Sequence, residues 1–265
     1  IKQSNPAFVI FNGDTINAAS GHEQDWAKFF AEMVNPLVAA GIPVLHVLGN
    51  HDYEGDSVKL AYHNNVWKSY YSQNANVYSK LTNFNYAGTF PNYYFDYAGK
   101  RFVLIDYSSD FLNQQELTWL KGVVTKNSFV FGHKQLFAWV SQCSGKGSTF
   151  NCKSFNEPGV LTKVAQLFQD TGSAYINGHR HVFYPILYHG NSKKYNFPMI
   201  FVGTTKSVDN RGMLRGYNDK ETIQPASFVI FDVGSSVNVG AQILDGGTYR
   251  PFTSADSMKY FPTAE

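Results

Sequence analysis

The sequence predicts an α/β fold, a four-layer αββα sandwich of two mixed β-sheets flanked by helices. Up to residue 182, short apolar runs alternate with helical patterns; beyond it, almost everything reads as strand. Composition sets the scale. The 265 residues are 43% apolar and only 16% charged, ample material for a core and too little charge for a disordered chain.

Residues 7–12 (AFVIFN) make an apolar run of strand length, expected as a buried strand. Residues 23–40 put Trp26, Phe29, Phe30, Met33 and Leu37 on one helical face; Pro36 is expected to kink or split that helix, and Gly41 to stop it. Residues 43–48 give the next strand. Residues 93–97 and 102–106 flank the turn Ala98-Gly99-Lys100, a hairpin signal, and the aromatic run Tyr93-Tyr94-Phe95 reads as packing.

A second clear helix covers residues 113–124. Asn113 can cap it with Glu116 three positions on, and Leu117, Leu120 and Val124 form its apolar stripe. Strands are expected at 128–131 and 174–177, with a helix at 160–168 between them. The strands at 183–188, 199–202, 227–232 and 237–244 are expected to build the second, partly antiparallel sheet. Two sheets sharing one core point to a single domain over residues 1–265. Most of the 22 Phe, 17 Tyr and 4 Trp are expected in that core.

Several function classes find no support. The net charge of +2 comes without any Lys or Arg run, so nothing indicates a nucleic-acid partner, while a small anionic substrate is compatible. No apolar run approaches the ~18 residues that a membrane-spanning helix needs. Cys143 and Cys152 lie in SQCSGKGSTFNC, where Gly and Ser between them make a small disulfide loop easy to close. A bridge would place the chain in an oxidising compartment, secreted or periplasmic; two unpaired thiols are the plainer alternative.

Four segments share one arrangement, in which an apolar run ends at Gly and a metal-binding side chain follows. They are Gly13-Asp14, Gly49-Asn50-His51-Asp52, Gly132-His133 and Gly178-His179-Arg180-His181. In an open α/β sheet, residues just past the carboxyl ends of strands converge on one crevice, and glycine there permits sharp turns and close backbone approach. Imidazole, carboxylate and amide oxygen without thiolate suit Mn, Fe, Zn, Co or Ni better than Ca or a closed structural zinc. A carboxylate such as Asp14 can bridge two such ions.

The ordered set GD, GNHD, GH and GHxH resembles the calcineurin-like metallophosphoesterase superfamily, over residues 7–243. The stretch FVLIDYS followed by QQELTWL also resembles the family's strand and helix between its second and third blocks. The resemblance implies hydrolysis of phosphoesters, phosphomonoesters first and phosphodiesters next, with two divalent metal ions. Asp14 would bridge them, Asn50, His133 and His179 would hold the second, and His181 the first. His51 would act as general acid on the leaving oxygen, Asp52 would orient it, and a metal-bound hydroxide would attack phosphorus. Arg180 and His22 are candidates for contacting the substrate.

The sequence departs from the family in two places. Thirteen residues precede Asp14 without the Asp-x-His that normally ends a first strand, and the expectation is that this strand lies upstream of Ile1. Asn17 stands where purple acid phosphatases carry Tyr, which disfavours that subclass. Two alternatives stay open: a non-catalytic scaffold that keeps the fold, and a one-metal phosphodiesterase or pyrophosphatase. Among the other histidines, His46 is read as a core or supporting residue, and His63 and His189 are assigned no role.

Overall fold

Alternate residues of each central strand go to opposite sides of one sheet, and that alternation sets the layers. The computed structural model describes residues 4–19, 21–109, 112–136, 143–144, 151–152, 159–179, 183–188, 195–203, 208–209, 223–224, 227–233, 237–245 and 248–253. For 143–144, 151–152, 184–188, 208–209, 223–224 and 237 it describes the backbone alone.

The chain begins with β1 (Val9–Phe11), α1 (His22–Phe29), a π-helical turn (Phe30–Val34), α2 (Asn35–Val38) and β2 (Val44–His46). Next come α3 (Ser57–Gln73), α4 (Ala75–Tyr78), β3 (Thr82–Asn85), β4 (Tyr93–Tyr97), β5 (Lys100–Leu104), α5 (Gln114–Val123) and β6 (Phe129–Gly132). The short β7 (Cys143–Ser144) and β8 (Asn151–Cys152) precede α6 (Val160–Thr171), β9 (Ala174–Asn177), β10 (Tyr184–Tyr188) and β11 (Phe197–Phe201). The described chain closes with β12 (Val208–Asp209), β13 (Ile223–Gln224), β14 (Ser227–Val233), β15 (Val237–Asp245) and β16 (Thr248–Pro251).

A seven-stranded mixed sheet runs β10-β11-β9-β6-β5-β4-β3. On one face, Phe95, Phe102, Leu104, Phe129, Phe131, Ile176 and Ile200 enter a core shared with β1, β2, β14, β15 and helices α1 to α3. On the other, Val103, Val130, Tyr175, Met199 and Phe201 pack with Leu117 and Leu120 of α5 and Val164 and Phe168 of α6. Ring contacts fix the order of layers. Phe231 of β14 meets Phe129 of β6 at 6.0 Å, Phe11 of β1 meets Phe29 of α1 at 5.0 Å, and His46 of β2 stacks on Trp67 of α3 at 4.9 Å. Each fully buried ring contributes roughly 1.5–3 kcal/mol. Helices, sheet, strands, helices: the αββα sandwich is the observed fold.

Two expectations change in detail. The strands after residue 182 do not all form a second sheet: β11 joins β9 in parallel and β10 extends the same sheet antiparallel, while β14–β15–β16 form a separate antiparallel sheet. The parallel pair β1–β2 completes that second layer without a described ladder to β14–β16. The helix over 23–40 breaks near Pro36 as expected: a π-helical turn separates α1 from α2, which carries Pro36 in its first turn. Proline lacks the N–H that the α-ladder needs, and the α-helical pattern is interrupted just before it. Gly41 (φ +76) ends the helix as expected, with Ile42 N–H donating to the Leu37 carbonyl and Gly41 N–H to the Val38 carbonyl. Finally, the hairpin loop is Ala98-Gly99 alone, both at positive φ, and Lys100 already pairs with Tyr97 in the ladder.

Candidate metal centre

Two parallel strand pairs point their carboxyl ends at one place. In one layer β1 and β2 run side by side with Phe11 opposite His46; in the other β6 and β9 do so with Gly132 opposite Asn177. The residues that follow these strands tie the layers together. His133 Nδ1 donates to the Asn12 carbonyl at 2.8 Å, and the Asn12 amide donates to the Gly132 carbonyl at 3.4 Å. Gly178 N–H donates to the His133 carbonyl at 2.9 Å, and His51 N–H to Asp14 Oδ1 at 2.9 Å.

Glycine is required where these segments cross. A Cβ on Gly49 would stand 2.1 Å from the Asp14 nitrogen, and one on Gly13 (φ +83) 2.3 Å from His133 Nδ1. No side chain fits there. Asp14 and His179 themselves hold left-handed backbone, at φ +54 and +65, a conformation that costs a non-glycine residue roughly 1–3 kcal/mol and persists only when neighbours fix it.

The result is a cluster of ligand atoms. Asp14, His133 and His179 each offer one atom, all within 4.8 Å of one another. Asp14 Oδ2 lies 3.0 Å from His133 Nε2, and His179 Nδ1 lies 3.3 Å from that same nitrogen. Because Nδ1 of His133 donates to the Asn12 carbonyl, Nε2 is the end of the ring that faces the cluster. A carboxylate and two imidazoles converging on one point is the donor set of a cation site. Burial pushes the Asp14 carboxyl up, but the His133 ring and the His51 N–H outweigh it and hold the pKa at about 2.

Asn50 adds a second sign. Its side-chain oxygen is buried and has no hydrogen-bond partner among the described residues, so it lacks the compensation a buried amide needs. A cation would supply that. The residues present therefore fit a metal ion.

His51 is half exposed, with 49% of its side chain accessible, and its Nδ1 meets Glu54 Oε1 at 2.5 Å. Burial lowers its pKa, yet the bond to Glu54 and the charges of Asp14, Glu54 and Asp52 prevail and raise it. Asp52 does not take the role expected of it. Its carboxylate is fully buried and accepts from the backbone N–H groups of Asp14 (3.1 Å), Thr15 (2.8 Å), Ile16 (3.2 Å) and Gly49 (2.7 Å). It thus shapes the turn that carries Asp14, and Glu54 is the carboxylate that orients His51. Burial raises Asp52 to about 6, against the pull of its backbone N–H donors.

His22 opens α1, where its Nε2 accepts from Trp26 Nε1 at 3.2 Å and its ring meets Tyr62 edge-on at 5.1 Å. Arg180 and His181 lie outside the described residues, as do His189 and the side chains of Cys143 and Cys152.

Three contributors escaped the sequence reading. Glu54 left a visible signal, a carboxylate three residues after His51. The Asn12 carbonyl left none, since any residue supplies one. Thr15 acts through Asp52 and His46, contacts that no local spacing reveals.

The chain matches the calcineurin-like phosphoesterase family over residues 1–183. It belongs to that family. The family's chemistry is metal-dependent hydrolysis of phosphoesters, and a divalent-metal site of Asp and His side chains agrees with it. Curated proteins returned no match to this phosphoesterase. Among solved structures it is similar to a dimetal phosphatase from Danio rerio, at 13% identity and a TM-score of 0.47, over 92% of this chain and 80% of that one. No helix of the described residues is long and apolar enough to cross a membrane.

Proposed function

We propose that this phosphoesterase hydrolyses small phosphomonoesters with two divalent cations, held by Asp14, Asn50, His133, His179 and His181. The convergence of Asp14, His133 and His179 within 4.8 Å carries the reading, and the unpartnered Asn50 oxygen strengthens it. When bound, such ions polarise the phosphoryl group and lower the pKa of a coordinated water.

The chain's own residues supply the rest. Asp14 is held ionised by His133 and by the His51 N–H, ready to accept a cation. The Asn12 carbonyl fixes the His133 ring by its Nδ1 proton, as supporting groups often do for metal-binding histidines. Glu54 holds His51 Nδ1, which leaves Nε2 as the free end of an accessible ring. From that end His51 donates a proton to the leaving oxygen, and its raised pKa keeps the proton available near neutrality.

The test is turnover of a phosphomonoester, a phosphodiester and pyrophosphate with Mn, Zn, Fe or Mg. Monoester hydrolysis should dominate. His51→Ala should lower turnover by about 100-fold or more, the contribution of a positioned acid, while elemental analysis still finds the wild-type metal content. Wild-type protein that binds no metal, or a His51 variant that loses it, would refute the assignment.

The compartment is part of the same proposal. Cys143 and Cys152 stand directly opposite each other in the antiparallel pair β7–β8. Opposed residues have Cα atoms ~4.5–5.5 Å apart, within the ~4.4–6.8 Å span of a disulfide. Such a bridge supports secretion or a periplasmic location, and mass spectrometry before and after reduction decides whether it forms.

A further inference from the structure

Beneath the Asp14 turn, a file of polar groups crosses an otherwise aromatic core. Thr15 Oγ1 lies 2.9 Å from Asp52 Oδ1 and 2.7 Å from His46 Nε2. His46 Nδ1 lies 3.1 Å from His63 Nε2, and His63 Nδ1 lies 2.9 Å from Asn64 Oδ1. Both histidines are buried, at 1% and 0% exposure. Their orientation is fixed by much more than these bonds. The His46 ring stacks on Trp67 and meets Trp26 edge-on at 5.3 Å, while its backbone N–H and carbonyl are both taken by the Tyr93 hydroxyl.

The Asp52 end sets the direction. Asp52 already receives four backbone N–H groups, so it is an acceptor, and the single Thr15 proton goes to it. The Thr15 oxygen must then receive a proton from His46 Nε2. That leaves His46 Nδ1 bare, to be met by a proton on His63 Nε2, and requires the Asn64 amide to turn over, presenting its NH₂ to His63 Nδ1 in place of the Oδ1 that faces it. Burial keeps both rings neutral at pH 7, so each carries one ring proton, as the file demands. For the same reason the 3.5 Å approach of His46 to Asp52 is not an ion pair.

We propose that His63 and His46 are positioning residues: a one-way hydrogen-bond chain from helix α3 that aligns Thr15 and Asp52 and so holds the Asp14 turn in its left-handed, cation-presenting shape. Ordinary core packing would not require a tautomer. Here the tautomer links a helix far along the chain to the carboxylate of the metal centre. The link to cation binding rests on the metal reading above; the chain of protons does not.

Two readouts test the parts separately, both on metal-free protein at pH 7. Imidazole ¹⁵N NMR should show His46 and His63 each protonated at Nε2; a proton on Nδ1 of His46 would overturn the chain. Titration calorimetry with Mn²⁺ should show binding weakened about tenfold in both His46→Phe, which keeps a stacked ring, and Thr15→Val, which keeps the volume. His63→Gln, which can still donate to His46, should restore most of what His63→Phe loses. Mn²⁺ affinity within twofold of wild type in folded His46→Phe or Thr15→Val would sink the positioning role. If His46→Phe does not fold, the Thr15→Val result decides. Wild-type protein that takes up no Mn²⁺ would overturn the link to cation binding, while the ring signals still decide the chain.

Discussion

At the β1–β2 end of the centre, a buried carboxylate gathers backbone N–H groups from both strand-end loops, so Asp52 bonds to Asp14, Thr15, Ile16 and Gly49 at once. At the β6–β9 end the described contacts are of another kind. His133 and His179 follow directly on neighbouring parallel strands, and a carbonyl, an N–H and close glycine contacts align them. The contrast follows from what each end must hold. Phe11 and His46 end strands of three residues, too short to fix the loops after them, whereas β6 and β9 lie inside a seven-stranded sheet whose register does so. Strands inside a large sheet aim the rings that follow them; short strands are held by a buried brace.

The widest gap between the two ends should show in Asp52→Ala. It strands four backbone N–H groups at ~1 kcal/mol or more each, so the urea midpoint of metal-free protein should report a loss of about 4 kcal/mol. A loss under about 1 kcal/mol would break the comparison. Next, His133→Ala should abolish Mn²⁺ binding yet cost about 1–2 kcal/mol of stability, since the strand register survives. Equal destabilisation by the two variants would mean that both ends are braced alike.

A smaller effect separates the ends by pH. Burial lowers the His63 pKa from 6.5 to about 4, so the unfolded chain binds its proton first. That contribution to stability is complete above pH 6.5 and is lost as pH falls toward about 4. Urea midpoints of metal-free protein over that range should slope less steeply in His63→Gln than in wild type. An unchanged slope would remove His63 from the brace of the β1–β2 end. The smallest effect belongs to the far layer, where Asn113 and Glu116 form the capping box of α5. Asn113→Ala should cost about 1 kcal/mol and leave Mn²⁺ affinity untouched.

Much of this was legible in order along the chain. The capping box at Asn113, the stop at Gly41, the strand at 174–177 and the glycine-led motifs each depend on neighbours within a few residues, and periodicity exposes such neighbours. The role of Asp52 was misread because its place beside His51 suggested a partner, whereas its bonds reach back to residues 14–16. The fate of the strands after residue 182 was misread for a related reason. An apolar run of strand length carries no mark of the sheet it will enter, and β11 is drawn to β9 by an edge that exists only once the sheet has formed.

By itself, the sequence determined the alternation of strands and helices, the four glycine-led segments that carry candidate metal-binding side chains and the chemical class of those side chains. These follow from side-chain period and residue type, which are written locally. Only the tertiary structure decided that Asp14, His133 and His179 share one small space, that Glu54 rather than Asp52 holds His51, and that a file of histidines runs beneath the Asp14 turn. Those are distances between residues far apart in the chain, and packing two sheets face to face is what sets them.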